Sequence, residues 1–369
     1  MPLQGKKERH LLLAWPSAVE NYSEQIENFE REMTNSIISK LCIHISDAED
    51  MNNLLNCLYG EKLKGRDYKL KEVGIGTLNV YIIYVDSDYS RKVVTSGFNL
   101  VNDSMHFIKS DLRIKCGGGH NIHGSEDLIE AEDDAMLFFG KSMSEITSED
   151  DKDISFSEWA DSFHNIIGSI GLLSQTGIRH SILRGVTERE QSFGSDIDFL
   201  IEEKDKISVR KRLRIYPKYP KLVNSRVYVS LKEKKEIDLR YVEDDYLPIQ
   251  LTQELFDESK NHQEKSANVY NESQIKALAY HCLVHKNNIH IKYIGFLEGC
   301  TSKIELARIF QSGHYDVKPC SDITVGYFNY KCLKGKKPSL NRVLFWNYVL
   351  FRRLLKKLVK TKDSNFESI

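Results

Sequence analysis

The chain has 369 residues, long enough for two domains with cores of their own. Its 52 basic residues against 53 acidic ones leave a formal net charge of −1, which excludes a global field for nucleic acid or an acidic partner, and no nucleic-acid partner is expected. A hydrophobic content of 41% excludes a disordered chain, and no run approaches the roughly 18 apolar residues that a membrane span needs. The seven cysteines are scattered and never spaced as CxxC, so reduced thiols are expected, with neither a disulfide frame nor a zinc knuckle. The opening residues hold only a three-leucine apolar run, too short for a secretory leader. A cytoplasmic, mixed α/β protein is the expectation.

HLLLAW (10–15) reads as a buried strand, and 17–41 as one long helix with apolar residues three and four apart. LCIHIS (41–46) is a second strand, AEDMNNLLNCLYG (48–60) a helix closed by Gly60, and LNVYIIYVD (78–86) a third strand rich in β-branched and aromatic residues. A glycine-rich loop around His123 follows, then a helix over 127–140. This order suits a sheet with helices on one face. The polar, acidic stretch MSEITSEDDKDISF (143–156) is the best linker candidate. Beyond it come a helix over 156–177, strands HSILRG and DIDFLIEE, a hairpin of RVYVSL and EIDLRYV, and a mostly helical remainder. The expected domains are 1–142, a linker at 143–156, a catalytic core at 157–246 and a helical region at 247–369.

Two stretches carry chemistry. In GGGHNIHGSEDLIEAEDD (117–134), glycines allow close backbone approach to an anion, and a helix offers its N-terminal end. A histidine held there attacks a phosphoryl group through one ring nitrogen if a carboxylate orients the other; the plainer reading is a turn histidine beside a solvated helix. In FGSDIDFLIEE (193–203), Asp196 and Asp198 alternate on a strand and project to one face. Two carboxylates on one face repel unless a cation sits between them. Asp238, on a later strand, makes a third acid of the kind that metal-assisted nucleotidyl transfer uses; the plainer reading is solvated acids on an edge strand.

The segment 97–139 resembles the C-terminal half of nucleoside diphosphate kinases. Asn99, Asp103–Ser104, Ile108, Asp111, His123–Gly124–Ser125, Ala131 and Phe138–Phe139 fall into that family's register, and LLLAWPSAVENY looks like its first strand and turn. The resemblance covers about 9–141. It implies a ferredoxin-like antiparallel sheet with helices, magnesium bound with the nucleotide, and a His123 phosphorylated by a nucleoside triphosphate and discharged onto a diphosphate. Ser125 and Asp134 take the places of the serine and the acid that support the histidine. Trp15 stands where the family has a phosphate-binding lysine, Phe98 where it has a threonine, and Lys92 and Lys109 where it has arginines, which lysine cannot match in bidentate contact. His120 replaces an asparagine, with Asn121 one place along. Lys92, Lys109, His120 and Asn121 are thus the nucleotide contacts the resemblance implies.

Residues 157–300 resemble the DNA-polymerase-β-like nucleotidyltransferases, in which a strand, a glycine turn and a DxD strand precede a third acid. By this resemblance the fold is a mixed sheet followed by helices, Asp196, Asp198 and Asp238 hold magnesium, and Gly185 meets the triphosphate, with Ser195 among the nucleotide contacts. Val186 follows Gly185 where the family has serine or glycine, so the triphosphate contact has to come from backbone or from neighbours such as Arg184 and Arg189. The segments 237–248 and 278–293 look more loosely like proteins of bacterial surface-polysaccharide assembly, which implies a sugar or polyol phosphate acceptor. His281 and His285 there have metal-ligand spacing but no third ligand, so core or acceptor contacts are the expectation. The terminal stretch 345–362 is a basic amphipathic helix, expected either to dock on its own domain or to lie on an anionic membrane surface.

The chain is therefore expected to be a bifunctional nucleotide-handling transferase, a phosphotransferase through His123 joined to a nucleotidyltransferase. Its rivals are an active nucleotidyltransferase with a non-catalytic nucleotide-binding module, and a non-catalytic nucleotide-binding regulator.

Overall fold

The computed structural model describes residues 6–63, 68–94, 97–184, 196–219, 226–261, 272–285 and 291–294, with Leu297 and Leu306. The chain is mixed α and β and divides into two compact units. Met1–Leu172 with Ile207–Lys234 form the first, and Leu173–Lys206 with Lys235–Ile369 the second.

The first unit begins with β1 (Lys7–Ala14), α1 (Pro16–Asn21), α2 (Ser23–Glu32), β2 (Ile37–Ile45), α3 (Ala48–Tyr59), α4 (Tyr68–Val73) and β3 (Gly76–Asp86). It continues with β4 (Tyr89–Val94), β5 (Gly97–Asn102), α5 (Asp103–Lys115), β6 (Ile122–Gly124), α6 (Leu128–Phe138), β7 (Lys152–Ser155), α7 (Phe156–Asp161) and α8 (Ile166–Leu173). The main sheet has the order β6-β1-β3-β2-β7, antiparallel except for the parallel β2–β7 pair. Leu78 to Ile83 of β3 are all buried, because helices cover both faces rather than the one face expected. Leu11, Leu13, Leu41 and Val80 pack against α3 and α6; Leu12, Tyr81 and Ile83 face α2 and α5.

The single helix expected over 17–41 is broken at Tyr22 (φ −134°) and ends at Glu32, where β-branched Ile37 and Ile38 start β2 instead. The helix expected over 156–177 is likewise split between α7 and α8. Neither the β4–β5 ribbon nor α5 was foreseen; α5 is capped by Asn102, whose side chain accepts from the Met105 backbone N–H at 2.8 Å.

The acidic stretch expected to be a linker is part of the first unit. Asp150 closes a capping turn by accepting from Thr147 N–H, and Asp151 reaches across to β2, accepting from the Lys40 N–H at 2.7 Å. The backbone of β7 then pairs with β2, Leu41 opposite Lys152.

From α8 the chain enters β8 (His180–Arg184) and β9 (Asp196–Ile201), turns through α9 (Lys206–Leu213), β10 (Ile215–Pro217) and β11 (Val227–Ser230), and returns with β12 (Glu236–Tyr241). The core expected at 157–246 is thus divided, since Ile207–Lys234 belongs to the first unit. Two buried arginines fix this excursion. Arg210 Nε donates to Cys57 O at 2.9 Å and Arg214 Nε to Leu137 O at 2.9 Å, capping the last carbonyls of α3 and α6.

In the second unit β9 pairs antiparallel with β8 and parallel with β12. As expected, helices follow: α10 (Ile249–Asn261), α11 (Glu272–Tyr280), a π-helical turn over His281–His285, and α12 (Ile291–Ile294). Leu183, Leu200, Leu251, Leu255 and Leu278 share its core. Among the described residues no helix is long and apolar enough to cross a membrane, and Cys42, Cys57, Cys116 and Cys282 are free thiols.

Candidate functional site

His123 lies on a strand, not in a loop. β6 pairs with the buried β1, His123 opposite Leu13, so its ring points to the face that α3 and α6 cover. Three consecutive left-handed glycines, Gly117 to Gly119 (φ 80°, 83° and 74°), turn the chain from α5 into β6; none of them lines the pocket described below. Gly124 has a packing reason. A Cβ there would stand 2.5 Å from Met105 Cε and 3.4 Å from Lys109 Cδ.

His123 Nε2 lies 3.2 Å from Asp134 Oδ2, and the Tyr59 ring packs edge-on at 5.6 Å. Nδ1 has no hydrogen-bond partner among the described residues. Asp134 is fully buried on α6, and its other oxygen is 2.5 Å from the ammonium of Lys211, delivered by α9. Burial alone would raise the Asp134 carboxyl, but Lys211 and His123 together hold it below its ordinary value. Burial would lower Lys211, and Asp134 with Glu130 hold it up.

A pocket of about 560 Å³ opens over this histidine. Its cations are Lys69, Lys109, Arg113, Arg210 and Lys211; Glu126 and Glu130 are its acids; Tyr59, Tyr68, Val93 and Val94 give it an apolar wall. Lys109 is 7% exposed, its ammonium has no hydrogen-bond partner but Gly124 O, at 3.4 Å, among the described residues, and it is held below the ordinary lysine range by burial and by Arg113. Such an ammonium favours an anion beside it. Lys69 donates to His120 O at 2.9 Å and lies over the rings of Tyr59 and Trp15.

Of the residues expected here, His123, Lys109, His120 and Asp134 converge. Lys92 does not: it pairs with Asp103 at 2.7 Å and lines no part of the pocket. Asn121 turns away to Cys116 O, and Trp15 is wholly buried in the core. Ser125 supports a different histidine. Its Oγ meets His10 Nδ1 at 2.9 Å, and His10 Nε2 meets Glu8 Oε1 at 3.0 Å. That chain has the order of a nucleophilic triad, but Ser125 is 1% exposed, so it is a structural link.

Lys69, Arg113, Arg210 and Lys211 were missed. Reading 103–115 as a helix would have found Arg113, four residues from Lys109 on one face. No local signal ties Lys211 to a site some ninety positions earlier. Ligand atoms of His123, Glu130 and Asp134 lie within 4.8 Å of one another. The Lys211 ammonium already stands against both carboxylates, so the trio is a neutralised charge cluster rather than a metal centre.

In the second unit, the parallel register sets Asp198 opposite Asp238 and Asp196 opposite Glu236. Asp198 is 3% exposed, and Asp238 is bonded to the guanidinium of Arg240. Arg184 stands opposite Asp198 on β8; the side chains of Arg184 and Asp196 lie outside the described residues, as do Gly185, Arg189, Ser195 and the whole stretch 345–362. His281 and His285 are buried, with Tyr246 Oη 2.8 Å from His281 Nδ1, which makes them core residues. No family model, curated protein or solved structure matches the chain.

Proposed function

We propose that the first unit transfers a phosphoryl group from a nucleoside triphosphate to a nucleoside diphosphate through His123. One observation carries the reading: Nε2 is engaged by a buried carboxylate while Nδ1 has no partner among the described residues, in a pocket ringed by cations. The strand order β6-β1-β3-β2 supports the ferredoxin-like fold that goes with it. In the first half-reaction the Nδ1 lone pair attacks the γ-phosphorus, the bond to the bridging oxygen breaks, and its electrons leave on the diphosphate. The Nε2 proton stays on the ring, donated to Asp134, which offsets the positive charge that the ring acquires. Lys109, Arg113 and Lys69 stabilise the oxygens of the transferring group. The second half-reaction runs the same bonds in reverse onto the acceptor diphosphate.

For the second unit we propose magnesium-dependent nucleotidyl transfer to a sugar or polyol phosphate. Asp198 facing Asp238 on parallel strands, with Asp196 two positions away, is a set of hard oxygen donors that fits magnesium, with Asp238 shared by Arg240. Magnesium bound there would supply charge neutralisation at the reacting phosphate. Arg240 orients Asp238, and the flanking apolar residues exclude water.

The rival for the first unit is a nucleotide-binding module without turnover, favoured by the engagement of Lys92 with Asp103 and the burial of Trp15. Two labels separate these readings. γ-Labelled ATP with magnesium should leave an acid-labile, base-stable label that His123→Ala abolishes, and α-labelled nucleotide should pass to an acceptor only with Asp198 intact. An unlabelled protein that still binds nucleotide would leave the module reading.

A further inference from the structure

We propose that Lys211 is a positioning residue of the His123 site: its ammonium neutralises Asp134, so that His123 keeps one proton, on Nε2, and attacks through Nδ1. The inference rests on the phosphoryl-transfer reading and adds to it a residue from the excursion between β9 and β12.

Asp134 is fully buried, and its two oxygens are divided: Oδ1 lies 2.5 Å from Lys211 Nζ, and Oδ2 lies 3.2 Å from His123 Nε2. The side chain of Lys211 is 3% exposed and that of His123 12%. An ionised carboxylate in such surroundings must be balanced by a neighbouring positive charge. With Lys211 in place the balance is met, and the imidazole need not take up a second proton. Without Lys211 the imidazole is the nearest group able to supply the charge. It would do so by protonating Nδ1, the atom that carries the nucleophilic lone pair.

The remaining charges around the ring do not substitute for Lys211. Lys69 from α4, His106, Lys109 and Arg113 from α5, His120 from the turn before β6, and Arg210 from α9 line the pocket, but none forms an ion pair with Asp134, and Tyr59 from α3 is neutral. Glu126, just before α6, and Glu130, in its first turn, add negative charge; Glu130 lies 3.9 Å from Lys211 Nζ and helps to hold it. Lys211 is also fixed by its own helix. Ser208 Oγ donates to Asp133 at 2.5 Å, Arg212 Nε donates to Asp133 at 2.8 Å, and Arg210 is tied to the end of α3. The ammonium therefore stays on Asp134 while a phosphate enters, instead of being drawn onto it.

The test uses the full chain, γ-labelled ATP and magnesium, with labelling rates followed from acid to alkaline pH. Lys211→Met should slow labelling at neutral pH at least tenfold and move the half-maximal pH up by about one unit or more. Rate should recover at alkaline pH, and Lys211→Arg should restore the unsubstituted profile. A merely structural role would lower the rate equally at every pH. A Lys211→Met profile that matches the unsubstituted chain, or a uniform drop, overturns the proposal. Lys211→Gln is run beside it against a folding failure, with the same expectations. If the unsubstituted chain takes no label, the phosphoryl-transfer reading fails, and ring-nitrogen NMR of His123 still decides this one. A ring doubly protonated over a wider pH range in Lys211→Met supports the role of Lys211; unchanged ring nitrogens overturn it.

Discussion

Asp134→Asn tests the charge cluster by stability rather than by chemistry. At 2.5 Å and an effective dielectric of about 20, the attraction between Lys211 and Asp134 is about 7 kcal/mol, set against a desolvation cost of several kcal/mol for each ion. The intact pair thus contributes little net stability, yet breaking it strands one ion. Asp134→Asn leaves the Lys211 ammonium with Glu130 at 3.9 Å, an attraction of about 4 kcal/mol on the same scale. The expected loss is about 3 kcal/mol, the low end for a broken buried pair. Lys211→Met should cost about 3–5 kcal/mol, and the double variant less than either single one, a coupling of more than about 3 kcal/mol. Urea unfolding of the full chain reads this directly, because Trp15 and Trp159 are both buried in the first unit. The pH arm has a definite sign. The Asp134 carboxyl is held below its ordinary 3.8, so its contribution is present above that value and lost as pH falls through the lower folded one. Asp134→Asn should lack this acid-side decline. Single costs that add within about 0.5 kcal/mol in the double variant would refute the reasoning.

Arg214→Ala should cost about 2–4 kcal/mol in the same assay, since it strips the donors from Met136 O and Leu137 O at the end of α6; a change under about 0.5 kcal/mol would mean that water caps these carbonyls instead. Ser125→Ala should cost about 1–2 kcal/mol, because it removes the partner of buried His10, and should leave labelling of His123 unchanged. A tenfold loss of label in that variant would return Ser125 to the phosphoryl site.

The buried strands were legible because their residues carry the signal themselves. HLLLAW and LNVYIIYVD became β1 and β3, and Gly60 closes α3 with a φ of 54°. The boundaries that failed lay where local propensity competes. Residues 33 to 41 continue a helical spacing, but Ile37 and Ile38 gain more from pairing with β3 than from another helical turn. Acid content misled at 143–156, because acids that cap turns look in sequence like acids that solvate a linker. At the site, the resemblance carried by one short motif put Asp134 beside His123, the two being close in the chain, although it was a loop and not a strand that His123 was expected on. Lys211 was not legible, since what places it is the tertiary course of α9.

That course follows from sheet geometry. Strands that pair in parallel cannot be joined by a tight turn and need a crossover. β9 and β12 are parallel, with Asp198 opposite Asp238, so a crossover has to lie between them, and α9 supplies its helix. That crossover carries Arg210 and Lys211, with Arg214 just past the end of α9, and their side chains bond within the first unit. A fragment of residues 1–172 therefore keeps His123, Asp134 and the whole main sheet, but loses the ammonium paired with Asp134 and the arginine caps of α3 and α6. A self-contained kinase-like domain would retain its chemistry in such a fragment. On the present structure it should not. We expect the fragment to melt well below the full chain by circular dichroism and, where it remains folded, to label at no more than about a tenth of the full-chain rate at neutral pH, the size expected when one fixed charge is lost from a reacting group. Labelling of the 1–172 fragment at the full-chain rate would refute the claim that the crossover completes the His123 site.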